Sequence, residues 1–163
     1  MLDFYRPAGS EKVKTSVEIL VDRVLKLLQP QLEQRGIQVE KTYDVPEHII
    51  LAVPDKLQQV FFNLVLNAYD AMEKCNNQKN LWVEIYSKED QVYIRVEDNG
   101  PGIPEGMDQV VFEPFVSTKQ NGTGLGLAIS YGIVQAHGGS LRIVEPRHAK
   151  GACFEVALPV EAR

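Results

Sequence analysis

The sequence contains two glycine clusters, Asp98-Asn99-Gly100-Pro101-Gly102 and Gly122-Thr123-Gly124-Leu125-Gly126-Leu127. Glycine has no Cβ and readily adopts positive φ, so such clusters let the backbone approach a ligand closely. The apolar run after the second cluster predicts a helix, and the free N–H groups at a helix start favour an anion such as a phosphate. We therefore predict that residues 97–130 close over a nucleotide. The alternative is that each cluster only makes turns.

Apolar periodicity around these clusters predicts a two-layer α/β sandwich. Apolar spacings of three and four residues predict three helices, which begin after Ser16, at Pro54 and after Gly126. Asp55 is expected to cap the second helix. Pro30 should kink or split the first helix. Alternation at 81–86, 92–97 and 154–158, with shorter strands at 37–43 and 141–143, predicts a mixed, mostly antiparallel sheet of about five strands. We expect the three helices on one face of this sheet and a polar opposite face.

Composition limits the class of protein. The chain has 163 residues, 44% of them hydrophobic and 24% charged, and its net charge is −5. One globular domain is expected, and an acidic chain without a Lys/Arg block argues against nucleic acid or an anionic membrane as the principal partner. Two cysteines and three scattered histidines suit neither a disulfide framework nor a zinc cluster. With no membrane-length apolar run or signal peptide, we expect a cytoplasmic protein or the cytoplasmic portion of a membrane sensor.

One face of the second predicted helix is unusually polar. It carries Gln59, Asn63, Asn67, Asp70 and Lys74, at steps of four, four, three and four residues. Asparagine is a poor helix former, so two asparagines one turn apart in an otherwise apolar helix need a reason. One interpretation is a solvated stripe. The other is that the stripe faces a cleft, where an amide oxygen suits Mg²⁺ as a hard ligand.

Asp98 stands directly before the first glycine cluster. The alternation of its strand places it on the same side as Val92, Ile94 and Val96, which is the core side. A carboxylate there needs a partner or a cleft. A salt bridge and a ligand contact both satisfy this requirement, and the adjacent glycines favour the ligand.

Three common nucleotide-binding motifs do not match the sequence. A Walker A loop needs a lysine after its glycines, and a Rossmann fingerprint needs Gly-x-Gly-x-x-Gly where residues 122–126 read Gly-x-Gly-x-Gly. A protein-kinase domain needs a His-Arg-Asp loop, which the sequence lacks.

Four motifs instead resemble, in order, those of the ATP-binding catalytic domain of sensor histidine kinases, a fold shared with DNA gyrase B, MutL proteins and heat-shock chaperones. The motifs are the N box (residues 63–68, Asn-Leu-Val-Leu-Asn-Ala), the G1 box (98–102), the F box (112–115, Phe-Glu-Pro-Phe) and the G2 box (122–127). The endings His137-Gly138-Gly139 and Gly151-Ala152-Cys153-Phe154 are also similar to the family. The Asn-Ala-x-Asp-Ala and Pro-Phe-x-Ser-Thr-Lys runs resemble the nitrogen-regulation type most closely.

The resemblance implies a role for each box in binding Mg-ATP. Asn67 would hold the Mg²⁺ that bridges the phosphates, and Asp98 would accept a hydrogen bond from the exocyclic amine of adenine. Ile103 and its neighbours, including Gly100 and Gly102, would line the base pocket. The phosphates would be bound by the backbone amides of Gly122, Thr123, Gly124, Leu125 and Gly126. Lys119 could reach the terminal phosphates, or could be a solvated loop lysine.

Two residues depart from the family pattern. Many sensor kinases place Lys or Arg where Asp70 stands, so that phosphate contact is lost or must come from Lys119. Hydrolysing relatives carry a water-activating Glu one turn before the Mg²⁺ asparagine, where this chain has Asn63. Since an amide is no general base at neutral pH, the resemblance implies slow ATP hydrolysis, with the γ-phosphoryl group reserved for another acceptor.

The acceptor histidine of the family lies in a preceding helical hairpin, in a His-Glu-x-x-x-Pro-like motif that this sequence lacks. Residues 1–7 resemble the tail of that hairpin, so we expect residues 1–15 to be this tail plus a linker and 16–163 to be the catalytic domain. The implied partners are the kinase's own histidine-bearing dimerisation hairpin and, through the full-length kinase, a response regulator; the fragment should be monomeric. Two alternatives stay open: an ATP-sensing module without transfer, and a related protein-serine kinase that regulates sigma factors.

Overall fold

The structure, a computed structural model, describes residues 11–75, 78–104, 106, 112 and 126–160. Its elements follow in the order β1 (Val13–Ser16), α1 (Val17–Gln34), β2 (Ile37–Tyr43), β3 (Ile49–Ala52), α2 (Pro54–Ala71), β4 (Lys79–Lys88), β5 (Gln91–Asp98), α3 (Gly126–Ala136), β6 (Ser140–Val144) and β7 (Cys153–Pro159). The three predicted helices and five predicted strands are all present in this part of the chain. Two further strands, β1 and β3, were not predicted.

The main sheet has the strand order β2-β4-β5-β7-β6. β2 pairs with β4 in parallel and the other neighbours are antiparallel, so the prediction of a mixed, mostly antiparallel sheet is confirmed. Leu81, Val83 and Ile85 alternate inwards along β4 and are fully buried. Together with the apolar faces of the helices they form one continuous core, which gives the two-layer α/β arrangement.

The outer face of the sheet is more covered than the alternation predicts. Glu97 and Glu155 belong to the outward-facing set, yet each is only 3% exposed. Arg95 and Arg142 pair with Glu155 at 3.1 and 2.8 Å, and the loop 145–150 lies against Glu97. The expectation of an open polar face is therefore wrong at the centre of the sheet, because charged partners and a loop enclose these carboxylates.

A small antiparallel sheet of β1 and β3 precedes α2 along the chain. The sequence favoured a polar linker up to Thr15, whereas Val13–Ser16 pair with Ile49–Ala52. Neither segment is long enough to show a convincing alternation of its own. The pair forms because Ile50 and Ala52 are buried in the core, which fixes β3 as a template for β1.

The helix ends follow the predicted capping chemistry in part. Ser16 caps α1 as expected, its Oγ accepting a hydrogen bond from the N–H of Ile19 at 3.3 Å. Pro30 lies inside α1 without splitting it, and Leu27, at the margin of the apolar stripe, is 57% exposed rather than buried. Pro54 occupies the first turn of α2, but the N-cap is Val53; Asp55 is not the cap and instead complements the helix dipole.

Among the described residues, no helix has the combination of length and apolar character that crossing a membrane requires.

Candidate nucleotide-binding site

Helix α2 contacts Gly100 of the first glycine cluster and Gly126 of the second. Asn63, Asn67 and Ala71 follow one another at steps of four and therefore lie on one stripe of this helix. At one end of the stripe, the side chain of Asn63 contacts Gly126 and, at the other, the carbonyl oxygen of Ala71 faces Gly100. Eight residues of α-helix span about 12 Å. The stripe thus holds Gly100 and Gly126 at a fixed separation, with Asn67 between the residues that contact them.

Asp98 lies at the end of β5 and is only 1% exposed. Its Oδ1 accepts a hydrogen bond from the N–H of Gly100 at 2.8 Å, and its own N–H donates to the carbonyl oxygen of Ala152 at 3.0 Å. Burial raises the pKa of this carboxyl to about 6; hydrogen bonds from the backbone of Gly100 and Ala152 oppose the shift, and the nearby charge of Glu97 adds to it. The predicted inward orientation of Asp98 is confirmed, and no salt bridge is formed to it by the described residues.

The turn after Asp98 is packed too tightly for side chains larger than glycine. A Cβ on Gly100 would lie 2.8 Å from the carbonyl oxygen of Ala71 and 3.0 Å from Asp98 Oδ1, while Gly102 has a φ of +87°. From the other side, a Cβ on Gly151 would overlap the carbonyl oxygen of Asp98. These glycines allow the end of α2, the turn after Asp98 and the segment at Gly151 to come together around Asp98.

Asn99 fixes the same turn against the sheet, a role that the sequence did not predict. Its Nδ2 donates to the carbonyl oxygen of Gln78 at 2.6 Å, and its Oδ1 accepts from the N–H of Asn80 at 3.0 Å. Ile103, further along, is half-buried and packs against the core. The predicted base-pocket residues Gly100, Gly102 and Ile103 therefore belong to one anchored segment that starts at Asp98.

Asn63 joins α2 to the start of α3. Its Nδ2 lies 3.2 Å from the carbonyl oxygen of Gly126 and 3.1 Å from Ser130 Oγ. Ser130 is completely buried. Sequence reasoning missed Ser130, although its place four residues after Gly126, on the inner face of an apolar helix, is an unusual one for a hydroxyl.

Asn67 differs from Asn63 in its surroundings. Its side chain is half-buried and makes no hydrogen bond within the part of the chain that the structure describes. Asp70 is also half-buried and does interact with another residue. The predicted stripe is therefore not uniform: Gln59 and Lys74 are exposed at its ends, and its three inner members are partly covered.

The donor chemistry of the site fits Mg-ATP. No cluster of three metal-ligating His, Cys, Asp or Glu side chains occurs among the described residues, which disfavours a site made of protein ligands alone. Mg²⁺ in nucleotide sites commonly takes one or two protein oxygens and completes its shell with phosphates and water. The amide oxygen of Asn67 is a suitable ligand of this kind, and the buried carboxylate of Asp98 is a suitable acceptor for an amine of a base. Lys119 and residues 122–125 lie outside the described residues.

A loop at residues 145–150, here called the strap, closes the outer side of the site. The Glu97 carboxylate accepts hydrogen bonds from the backbone N–H groups of Arg147, His148 and Ala149 at 3.0, 2.7 and 3.0 Å. The strap then continues into Gly151, which packs on Asp98. Sequence alternation assigned Glu97 to an open face and so missed this role.

His137 fastens the far end of α3. Its Nε2 accepts a hydrogen bond from the N–H of Val53 at 3.0 Å, and its Nδ1 is 2.8 Å from the carbonyl oxygen of Ile133. Because the N–H of Val53 can only donate and the carbonyl oxygen of Ile133 can only accept, Nε2 is the acceptor and Nδ1 carries the proton. The helix that follows the second glycine cluster is thus attached to α2 at its start and to the residue before α2 at its end.

The chain is similar to known ATPases and kinases. A family model described as "Histidine kinase-, DNA gyrase B-, and HSP90-like ATPase" matches residues 52–162. The sensor histidine kinase ZraS of Salmonella typhi is 36% identical over 164 residues, which is 100% of this chain and 34% of ZraS. Sporulation kinase A of Bacillus subtilis is 34% identical over 142 residues, which is 86% of this chain and 22% of that kinase. The chain spans about a third of the length of ZraS and less of sporulation kinase A.

Solved structures give the same result for the fold. The catalytic domain of histidine kinase ThkA matches with a TM-score of 0.82 and 27% identity, covering 93% of this chain and 97% of that domain. A crystal structure of ThkA in complex with the response regulator protein TrrA matches with a TM-score of 0.78 and 25% identity, covering 91% of this chain and 42% of ThkA. The predicted fold class is confirmed.

Proposed function

The chain belongs to the family of histidine kinase-, DNA gyrase B- and HSP90-like ATPases and corresponds to a histidine kinase catalytic domain, and we propose that it binds Mg-ATP and donates the γ-phosphoryl group to a histidine on a dimerisation hairpin. The observation that carries this proposal is the arrangement on α2. One helix stripe places Asn67 between the turn that follows Asp98 and the first residue of α3. The buried acceptor Asp98, the oxygen ligand Asn67 and the start of α3 thus follow one another along the stripe, which is about 12 Å long.

Each residue would have a distinct part in binding. Asp98 would accept the hydrogen bond of the adenine amine, and Gly100, Gly102 and Ile103 would surround the base. Asn67 would supply the metal ligand. Residues 122–125 and Gly126 would offer backbone N–H groups to the phosphates, as the start of a helix can. Lys119 is the candidate for the contact with the terminal phosphates, since Asp70 stands where many sensor kinases place a Lys or Arg.

The chemistry needs little more than position and charge neutralisation. Mg²⁺, when bound, would neutralise charge on the phosphates. The residues of this chain would bind ATP, orient it along α2 and exclude water from its γ-phosphate. Asn63 offers no base to activate water, so the domain alone should hydrolyse ATP slowly. The nucleophile would come from the hairpin.

The partners and setting are proposed from the relatives. ThkA, a histidine kinase, has been crystallised with the response regulator protein TrrA, which supports a response regulator as the downstream partner here. Of residues 1–15, the part before β1 would be the tail of the hairpin plus a linker, because Val13–Ser16 pair with Ile49–Ala52. The rest of the chain to residue 163 would be the catalytic domain. We place the protein in the cytoplasm, as a monomer when separated from its hairpin. We also propose the nitrogen-regulation subtype, on the basis of the Asn-Ala-x-Asp-Ala and Pro-Phe-x-Ser-Thr-Lys runs.

The test mixes the domain with ATP labelled on its γ-phosphate and a separately produced kinase hairpin. Acid-labile label on the hairpin histidine supports the proposal, and a hairpin with that histidine replaced by alanine is the control. Tight binding of ATP without transfer to any hairpin would favour an ATP-sensing module. Rapid release of phosphate by the domain alone would contradict the role given to Asn63.

A further inference from the structure

We infer that Asn63 is a positioning residue, which sets the place of α3 against α2 and acts on the phosphates only through α3. This inference rests on the proposed function, because it assigns a part in ATP binding to a residue of that site. It differs from a direct role at the metal or at a water molecule, which the position of Asn63 one turn from Asn67 would otherwise suggest.

The hydrogen-bond chemistry decides which atom of Asn63 faces α3. The carbonyl oxygen of Gly126 can only accept, so the group 3.2 Å from it must be the amide NH₂. The same nitrogen lies 3.1 Å from Ser130 Oγ. Both hydrogens of the amide therefore point at α3, one at its first residue and the other one turn further on.

The contact lies at the first turn of α3, where Asn63 makes two hydrogen bonds from α2. α3 has only 11 residues, a length at which a helix depends on tertiary contacts for its stability. Ser130 and Val134 are its fully buried residues, and one of these two is polar. Its far end is fastened by His137 to Val53. Among the described residues, Asn63 thus makes the side-chain hydrogen bonds that join α2 to the start of α3.

The packing of Asn63 against Gly126 agrees with the same role. A Cβ on Gly126 would lie 3.8 Å from Cγ of Asn63, so the amide group packs directly against this residue. Gly126 is the last residue of the second glycine cluster. A shift of Gly126 would move the start of α3, and the backbone N–H of Gly126 is one of the groups proposed to bind the phosphates.

The experiment compares ATP and adenosine binding by calorimetry, each with Mg²⁺ and with EDTA. The variants are Asn63→Ala and Ser130→Ala, with Gln59→Ala, an exposed change one turn earlier on α2, as the matched control. Loss of a hydrogen-bonded anchor should weaken ATP binding about 10-fold in Asn63→Ala. Adenosine affinity should stay within about two-fold, because the base pocket is held by other contacts. Ser130→Ala, which removes one of the two bonds, should shift ATP affinity the same way by less.

The EDTA arm separates positioning from metal binding. The loss in Asn63→Ala should persist without metal, whereas a metal ligand would lose its effect in EDTA. A loss that disappears in EDTA, an equal loss for ATP and adenosine, or an unchanged ATP affinity would each overturn the inference.

A second measurement does not depend on nucleotide. Hydrogen exchange at the amides of residues 127–131 should be faster in nucleotide-free Asn63→Ala than in the wild type, while β4 and β5 exchange alike in both. Equal exchange at these amides would overturn the inference even if the domain binds ATP. Failure of the wild type to bind ATP would instead overturn the proposed function, with the exchange result still decisive for the contact. If Asn63→Ala does not fold, Ser130→Ala carries both measurements.

Discussion

The carboxylate of Asp98 and the backbone N–H of Gly100 form a hydrogen bond of 2.8 Å. The bond commits Oδ1 to the protein, because the N–H of Gly100 requires an oxygen acceptor at that point. It also bends the chain so that Gly100 meets the end of α2. The geometry of one short turn therefore connects the proposed base acceptor with the helix that carries the proposed metal ligand.

Replacing Asp98 by asparagine should reverse the polarity of the atom that faces the base. The asparagine oxygen is needed by the N–H of Gly100, so its NH₂ group would be directed at the adenine amine, donor against donor. We expect ATP affinity by calorimetry to fall at least about 10-fold, and the preference for ATP over GTP to shrink. Asp55→Asn, an exposed change in the first turn of α2, is the control. Unchanged affinity in Asp98→Asn would remove the assignment of Asp98 as base reader.

The raised pKa of Asp98 should appear in the pH dependence of stability. The folded-state pKa of about 6 exceeds the ordinary aspartate pKa of 3.8, so the folded protein binds the proton more tightly than the unfolded chain. The contribution of Asp98 therefore destabilises the folded state least below about pH 4. The unfolding free energy falls as the pH rises from about 4 to about 6, and this contribution is constant above that pH. Asp98→Asn lacks this penalty, so its stability relative to the wild type should grow by about 3 kcal/mol over that window. Urea unfolding of both proteins at each pH measures the difference; a flat difference would show that Asp98 is not buried in the free domain.

Gly100 should tolerate no Cβ. Gly100→Ala would place a methyl group against the carbonyl oxygen of Ala71 and the carboxylate of Asp98, so the turn must move away from α2. We expect a loss of about 1–3 kcal/mol in unfolding free energy together with a loss of ATP binding. Gly132→Ala is the matched control, since a Cβ at this helical glycine of α3 meets nothing within 4 Å. That variant should gain about 0.5–1 kcal/mol, and similar behaviour of the two variants would argue against the close packing.

Asn67 should contribute to ATP affinity only when Mg²⁺ is present. Asn67→Ala removes the proposed metal oxygen from a side chain that has no hydrogen-bond partner in the described part of the chain, so the fold should be unaffected. We expect ATP affinity with Mg²⁺ to fall to the level that the wild type shows in EDTA, and ATP affinity in EDTA to be the same in both proteins. Calorimetry in the two buffers measures this. A variant that still gains affinity from Mg²⁺ as the wild type does would exclude Asn67 as the ligand.

Glu97 should contribute strongly to stability through the strap. Its buried carboxylate accepts three backbone N–H groups, and Glu97→Ala leaves these donors without their acceptor. Since hydrogen bonds to a charged group are among the stronger ones, we expect a loss of about 2–4 kcal/mol by urea unfolding. Glu145→Ala, at an exposed position at the start of the strap, should change stability by less than about 0.5 kcal/mol. Equal effects of the two changes would mean that the strap is not held by Glu97.

The elements that the sequence predicted are those whose signal is local. The alternation of Leu81, Val83 and Ile85 defined β4, and Ser16 marked the start of α1. The apolar spacing of α2 placed Asn63 and Asn67 on one polar stripe, and strand parity placed Asp98 towards the core. Patterns of this kind need only the geometry of one helix or one strand, so the sequence contains them in full.

By itself, then, the sequence determined the layers, the family and the inward position of Asp98. Only the tertiary structure decided which groups those residues contact. Asn63 donates hydrogen bonds to Gly126 and Ser130, Glu97 accepts hydrogen bonds from the strap, and β1 pairs with β3. These partners lie tens of residues apart in the chain, and their pairing depends on how the layers pack rather than on any local period. A periodic pattern states which side of an element is covered, whereas the identity of the covering group follows from packing in three dimensions.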